Sequence, residues 1–293
     1  MTEESAAASF RLNSVEDWVK TADGLELLVR CFSVANEPAP RTLLFVHGAG
    51  GHGGRYREFA VAAVARGWRV LLPDLRGHGR SEGFPVHVMR FEQYLEDLDR
   101  IVARYDLQPE STAVLGQSMG GLIAARYAQT RPDRLSSLVL LCPLLRVAMH
   151  INPVKLVVGR VLAYFAPRTQ FRSGIQAGQL SRDPAMQEVT RNDPLLQRRV
   201  TARWFAEIER GLAGVWQERA RLTVPSLILQ GADDRIVDPA APAEWCPGLG
   251  GRDVTLDILP GHVHELLHEP DGDAITSRIL DWLAVRVAAE SSG

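Results

Sequence analysis

Short, continuously apolar runs alternate with amphipathic stretches over most of this chain. Residues 42–46, 69–72, 111–115, 135–142, 226–230 and 253–258 are compact apolar segments. Such runs suit strands covered on both faces. Between them, apolar residues recur at helical spacing over 55–66, 91–105, 119–125, 239–246 and 273–289. The clearest helix carries Phe91, Tyr94, Leu95, Leu98, Ile101 and Val102 on one face. Strands separated by helices predict right-handed crossovers and a mainly parallel central sheet flanked by helices, an α/β class. Upstream, 17–21 and 25–32 flank Asp23-Gly24, which predicts a β-hairpin. Residues 1–14 are expected to be frayed or loosely docked, and Pro38 and Pro40 mark a loop.

The alternation breaks from 146 to 220, where the patterns are helical and no strand stands out. This segment reads as a helical cap inserted into a core made of 1–145 and 221–293. Open α/β sheets bind ligands beyond the carboxyl ends of their strands, where such a cap would lie. Its first helical stretch, 151–165, has a broad aliphatic face with two cations, Lys155 and Arg160. That face suits either burial against the core or the wall of an acyl tunnel touching lipid surfaces.

The stretch 111–125 carries the strongest chemical signal. An apolar strand runs into Gly116-Gln117-Ser118-Met119-Gly120, and a small-residue helix follows. A glycine-flanked turn between strand and helix lifts a serine hydroxyl clear of the sheet. The next residue's N–H then sits at a helix N-terminus, aimed at a developing oxyanion. The same short pattern recurs at Gly79-Arg80-Ser81-Glu82-Gly83, but Phe84-Pro85 follows there and no helix starts. Context therefore selects Ser118 and leaves Ser81 as a loop serine.

A serine nucleophile needs a histidine base, and that base needs a carboxylate to orient it. In this topology they follow in the order serine, acid, histidine. After strand 226–230 come Asp233, Asp234 and Asp238. Asp238 precedes Pro239 and reads as a helix N-cap, while Asp233 and Asp234 stay tied. After strand 253–258 come His262, His264 and His268. His268, farthest from the strand end, reads as part of a solvated helical turn; His262 and His264 stay tied. The glycine-rich loop after strand 42–46 offers the Ala49 N–H as partner to the Met119 N–H. That loop lacks the Gly-Lys-Ser/Thr ending of a phosphate loop.

Composition narrows the classes. The 293 residues are 46% hydrophobic and 23% charged, with net charge -2, so nucleic-acid binding has no electrostatic footprint. Cys31, Cys142 and Cys246 form no Cys-x-x-Cys pair, which disfavours a disulfide framework or zinc site; no metal or cofactor is expected. Cys142 reads as a buried small hydrophobe. An acidic N-terminus without an apolar core and the absence of an 18-residue apolar run predict a cytoplasmic protein.

An ordered set of motifs resembles the α/β-hydrolase superfamily, in its monoacylglycerol lipase and lysophospholipase branch. It comprises His47-Gly48-Ala49-Gly50, Gly54-Arg55-Tyr56, Asp74, Gly77-His78-Gly79, the serine turn, Leu180-Ser181-Arg182, Asp193-Pro194-Leu195 and Gln230-Gly231-Ala232-Asp233-Asp234-Arg235. The resemblance implies an α/β-hydrolase fold with Asp234 as acid, His264 as base, and Ala49 and Met119 as oxyanion donors. It also implies substrate contacts from Gly48 and Arg55. Two departures stand out. Gly51 and Leu267 occupy positions where monoglyceride lipases typically carry a glutamate and a second histidine that help hold glycerol.

The implied activity is cofactor-free hydrolysis of a small, lipid-like ester with an apolar acyl chain. Weak membrane or micelle contact would run through the cap. A thioesterase, a C–C hydrolase or a cofactor-free haloperoxidase would use the same three residues. A ligand receptor on this scaffold is the non-enzymatic alternative. Haloalkane dehalogenases and epoxide hydrolases are disfavoured, because they place an aspartate where this chain has Ser118.

Overall fold

The computed structural model describes residues 11–35, 40–149 and 153–287. In chain order, β1 is Leu12–Lys20, β2 Glu26–Val34, β3 Arg41–Val46, α1 Arg57–Val64, β4 Trp68–Pro73, α2 Glu92–Arg104, β5 Thr112–Gln117, α3 Met119–Thr130 and β6 Ser137–Leu141. There follow α4 Pro153–Phe165, β7 Gln170–Arg172, α5 Ala177–Leu180, α6 Pro184–Asn192, β8 Arg199–Thr201 and α7 Ala202–Gln217. The chain closes with β9 Ser226–Gly231, α8 Ala241–Trp245, β10 Val254–Leu259 and α9 Gly272–Ala284.

Eight strands form one sheet in the order β1-β2-β4-β3-β5-β6-β9-β10. β1 pairs with β2, and β2 with β4, in antiparallel fashion; the remaining neighbours are parallel. The inner strands β5, β6 and β9 are buried at every position, which is why their sequences run continuously apolar rather than alternating. Helices cover the sheet, with α1 against α9, and α3 against both α2 and α7. Burying side chains such as Leu44, Leu115 and Leu140 contributes about 1.5–3 kcal/mol each.

The hairpin turns at Asp23-Gly24, with Lys20 opposite Glu26 and Gly24 at φ 93°. Three expectations are corrected. Leu12–Ser14 are not frayed; they pair with Val34, Ser33 and Phe32 in β1. The stretch between β6 and β9 is not wholly helical, because β7 and β8 form a two-stranded antiparallel ribbon. Strands of three residues carry too little alternation to be seen in sequence. Asp238 does not cap α8: its carboxylate accepts the Ala240 N–H at 3.0 Å and pairs with Arg146, and the helix begins after Ala240. The expectations for residues 1–10, Pro38, Ile151, Asn152 and 288–289 lie outside the described residues.

Two buried polar groups tie the loops at the strand ends. Asp74 receives Arg30 at 2.6 and 3.3 Å and the N–H groups of Gly53 and Arg80. Ser81 donates to the Asp74 carbonyl and accepts the Leu28 N–H, so this second Gly-x-Ser-x-Gly copy is a loop tie. His47, fully buried after β3, lies 2.8 Å from the Gly48 carbonyl through Nδ1 and accepts the Leu75 N–H at Nε2, 2.9 Å away. One nitrogen donates and the other accepts, which requires the neutral ring. Burial and the neighbouring His78 push the His47 pKa down to about 3. Burial pushes His78 down to about 4.

These folded pKa values lie below the unfolded value near 6.5, so the unfolded chain binds more protons in that window. The stability is fully present above about pH 6.5 and declines as pH falls toward 4. Urea midpoints measured at intervals over that window are expected to fall steadily, and to fall less steeply in His47→Gln. A parent protein with a flat midpoint from pH 6.5 to 4 would contradict this assignment.

Candidate active site

Ser118 stands between β5 and α3 at φ 56°, ψ −120°, a conformation that ordinary residues avoid. The turn closes only because its flanks lack side chains. A Cβ on Gly116 would come within 2.3 Å of the Gly120 carbonyl, and one on Gly120 within 2.0 Å of the Val46 carbonyl. The Ser118 N–H is tied to Leu141 O at 3.0 Å, and its carbonyl accepts the Leu144 N–H at 2.9 Å.

Of the tied candidates, Asp234 and His264 lie in one hydrogen-bonded line with Ser118. His264 Nε2 lies 2.8 Å from Ser118 Oγ, and His264 Nδ1 lies 2.6 Å from Asp234 Oδ2. The other Asp234 oxygen accepts the N–H groups of Ile236 and Val237. Burial pushes the Asp234 carboxyl up, but His264 and those two N–H donors hold it below its ordinary value. Asp233 is exposed, with its N–H on the His262 carbonyl. His262 faces Asp271 at 2.9 Å instead of the serine.

Around Ser118 the glycine-rich loop lies close. A Cβ on Gly48 would meet Gln117 Oε1 at 2.5 Å and Ser118 Cβ at 3.2 Å, so Gly48 lets the loop approach the serine. Met119 is the first residue of α3, and its N–H has no intrahelical acceptor. The Ala49 N–H donates to no acceptor among the described residues. Ala49 and Met119 line the same cavity as Ser118 and His264, about 320 Å³ in volume. Its walls are largely apolar, including Met149, Leu156, Leu180, Phe205 and Ile208.

Arg55 is placed differently from a direct substrate contact. Its guanidinium lies behind the cavity wall, with Nη2 on Glu265 Oε2 at 2.6 Å and on Thr190 Oγ1 at 3.2 Å. Glu265 and Thr190, not Arg55, line the cavity. His268 corrects a second expectation. It is buried rather than solvated, with Nδ1 at 2.7 Å from Glu265 and Nε2 at 3.0 Å from the Arg55 carbonyl. Its ring also stacks on Tyr56 at 5.3 Å.

Burial pushes the Glu265 carboxyl up, yet Arg55 and His268 hold it well below the usual carboxylate range. Leu267, at the position of the expected second histidine, packs against the core. Periodicity missed this cluster, because Glu265 and His268 meet Arg55 from more than 200 residues away. Their one local signal is the charged residue directly after His264.

Segments between β6 and β9 contribute to the cavity lining and bond to the glycine-rich loop. The Gln197 N–H donates to the Gly50 carbonyl at 2.8 Å, and His52 meets Asp193 at 2.9 Å. Among the described residues no helix is long and apolar enough to cross a membrane.

Comparison with known proteins shows what the chain is similar to. A monoacylglycerol lipase of Mycolicibacterium smegmatis is 32% identical over 247 residues, covering 82% of this chain and 87% of that protein. A monoglyceride lipase of Mus musculus is 31% identical, covering 93% of this chain and 91% of the relative. The crystal structure of Paleococcus ferrophilus monoacylglycerol lipase superposes with a TM-score of 0.81 at 25% identity, over 94% of this chain and 99% of the other. The sequence profile of the serine aminopeptidase S33 family matches residues 37–271. The chain therefore belongs to the serine aminopeptidase S33 family and has the α/β-hydrolase fold.

Proposed function

We propose that this protein hydrolyses carboxylic esters of the monoacylglycerol type through a serine acyl-enzyme. The observation that carries the reading is the continuous hydrogen-bonded line Ser118 Oγ, His264, Asp234 at one end of an apolar cavity. Ser118 Oγ attacks the ester carbonyl as His264 Nε2 takes its proton, and Asp234 stabilises the imidazolium. The Ala49 and Met119 amides receive the oxyanion, the second at the positive end of α3. His264 then protonates the departing alcohol, and water delivered by the same base releases the acid.

The cavity divides the substrate. Its aliphatic walls suit the acyl chain, while Glu265 and Thr190 offer polar groups for a hydroxyl-bearing alcohol. Arg55 and His268 hold Glu265 ionised from behind the wall, so a carboxylate reaches the cavity from a position other than 51. We assign residues 146–220 as a cap over the site. On its helix α4, Leu156 faces the cavity, while Val157, Val158, Val161, Tyr164 and Phe165 form an exposed apolar stripe. That stripe suits contact with a lipid or micelle surface. A reducing, cytoplasmic location is part of the same proposal, on the scattered spacing of Cys31, Cys142 and Cys246 in the sequence.

Ser118→Ala is expected to lower kcat on p-nitrophenyl butyrate by at least about 10⁴-fold and to abolish fluorophosphonate labelling. Parent-like turnover would sink the nucleophile assignment. Glu265→Gln should reduce kcat/KM for a 1-monoacylglycerol by about tenfold or more relative to the p-nitrophenyl ester of the same acyl chain. An equal decline on both substrates would remove Glu265 from alcohol recognition. Replacing Val157, Val161 and Phe165 together by Ser is expected to cut co-sedimentation with phospholipid vesicles while p-nitrophenyl acetate turnover stays unchanged. Undiminished co-sedimentation would exclude the α4 stripe as the lipid contact.

A further inference from the structure

Cys142, directly after β6, is a fully buried thiol that the acyl-transfer steps leave unused. Its backbone takes φ 40°, a left-handed conformation that side-chain-bearing residues rarely adopt. The turn has a consequence for the sheet. β6 pairs with β9 as far as Leu141 opposite Leu229, and the Cys142 N–H adds a bond to the Leu229 carbonyl at 2.8 Å. In a continued parallel ladder the Gly231 N–H would go to the Cys142 carbonyl. Here it goes to Cys142 Sγ at 3.3 Å instead.

The thiol in turn donates to the Val263 carbonyl at 3.6 Å. Gly231 ends β9 and opens the loop that carries Asp234; Val263 immediately precedes His264. The sulfur thus joins the backbone of one loop to the backbone of the other. Cys142 Sγ, a carboxylate oxygen of Asp234 and a ring nitrogen of His264 all lie within 4.8 Å of one another. Burial and the charge of Asp234 push the thiol pKa well above its ordinary value, so the S–H donor persists at neutral pH.

We propose that Cys142 is a positioning residue for the Asp234–His264 pair, its thiol bridging the two loops so that His264 is held in line with Ser118. This role rests on the ester-hydrolase reading above. The bond from Nδ1 to Oδ2 is 2.6 Å, and small displacements of an aligned base are costly to the chemical step. A sulfur that merely fills space would leave that alignment unchanged when its hydrogen bonds are removed. The two roles therefore separate by experiment.

The test compares Cys142→Ala, Cys142→Gly and Cys142→Ser on p-nitrophenyl butyrate, with kcat normalised to active sites counted by burst titration. Glycine adopts φ 40° without a Cβ penalty, so Cys142→Gly removes the thiol while easing the backbone and keeps the test available if alanine folds poorly. Both are expected to lose about tenfold in kcat per titrated site, with KM within about twofold of the parent, and to react more slowly with a fluorophosphonate by a similar factor. Serine, which keeps a donor and an acceptor, should recover most of that loss.

A fall of less than about threefold in both Ala and Gly, or a serine variant as slow as alanine, would overturn the positioning role. A shift confined to KM would overturn it as well. A parent that neither turns over the ester nor labels would instead sink the hydrolase reading, and the role of Cys142 with it.

Discussion

Ser118 is held at φ 56°, ψ −120° by a turn in which β5 stops and α3 begins within one residue. That compression sets the spacing of what surrounds it. It requires bare backbone on either side, brings the Val46 carbonyl against the start of α3, and leaves Met119 in the lining of the cavity. The loop after β3 can then lie over the serine, anchored from behind by the neutral His47 ring. Strain at one residue is sustained because the sheet and helix around it are among the most deeply buried parts of the molecule.

The strand order carries this arrangement outward. β3, β5, β6, β9 and β10 are consecutive parallel neighbours, so their carboxyl ends lie in a row. Those ends bear the Ala49 loop, Ser118, Cys142, the Asp234 loop and the His264 loop in the same sequence. Residues up to 215 positions apart along the chain thereby become neighbours. The acid and base loops are further pinned by the Asp233 N–H on the His262 carbonyl.

Two buried charged assemblies share one backbone at His264-Glu265. His264 turns toward Asp234 and Ser118, while Glu265 turns toward Arg55 and His268. Removing such charges from water is expensive unless each finds close partners, and here each carboxylate has at least two. The two systems meet different parts of the cavity, one at the serine and one at a polar stretch of an otherwise apolar wall. His52 and Asp193, with Arg55 and Thr190, carry the same polar network into the segment between β6 and β9.

The sequence by itself determined the alternating α/β order, the hairpin and the choice of Ser118 over Ser81. Each depends on local pattern: apolar runs for covered strands, Asp-Gly for the turn, and strand–glycine–helix context for the serine. Resemblance to a known family then singled out Asp234 over Asp233 and His264 over His262, the two that a hydrogen bond joins in the structure. The ribbon β7–β8, the N-terminal reach of β1, the burial of His268 and the withdrawal of Arg55 behind Glu265 were decided only by the tertiary structure. So was the bridging place of Cys142, whose sequence neighbourhood reads as plain apolar core. These features depend on which distant backbones meet, and a short segment carries no record of its remote partners. Local periodicity reports which face of an element is buried, but not which charge or carbonyl waits on the other side.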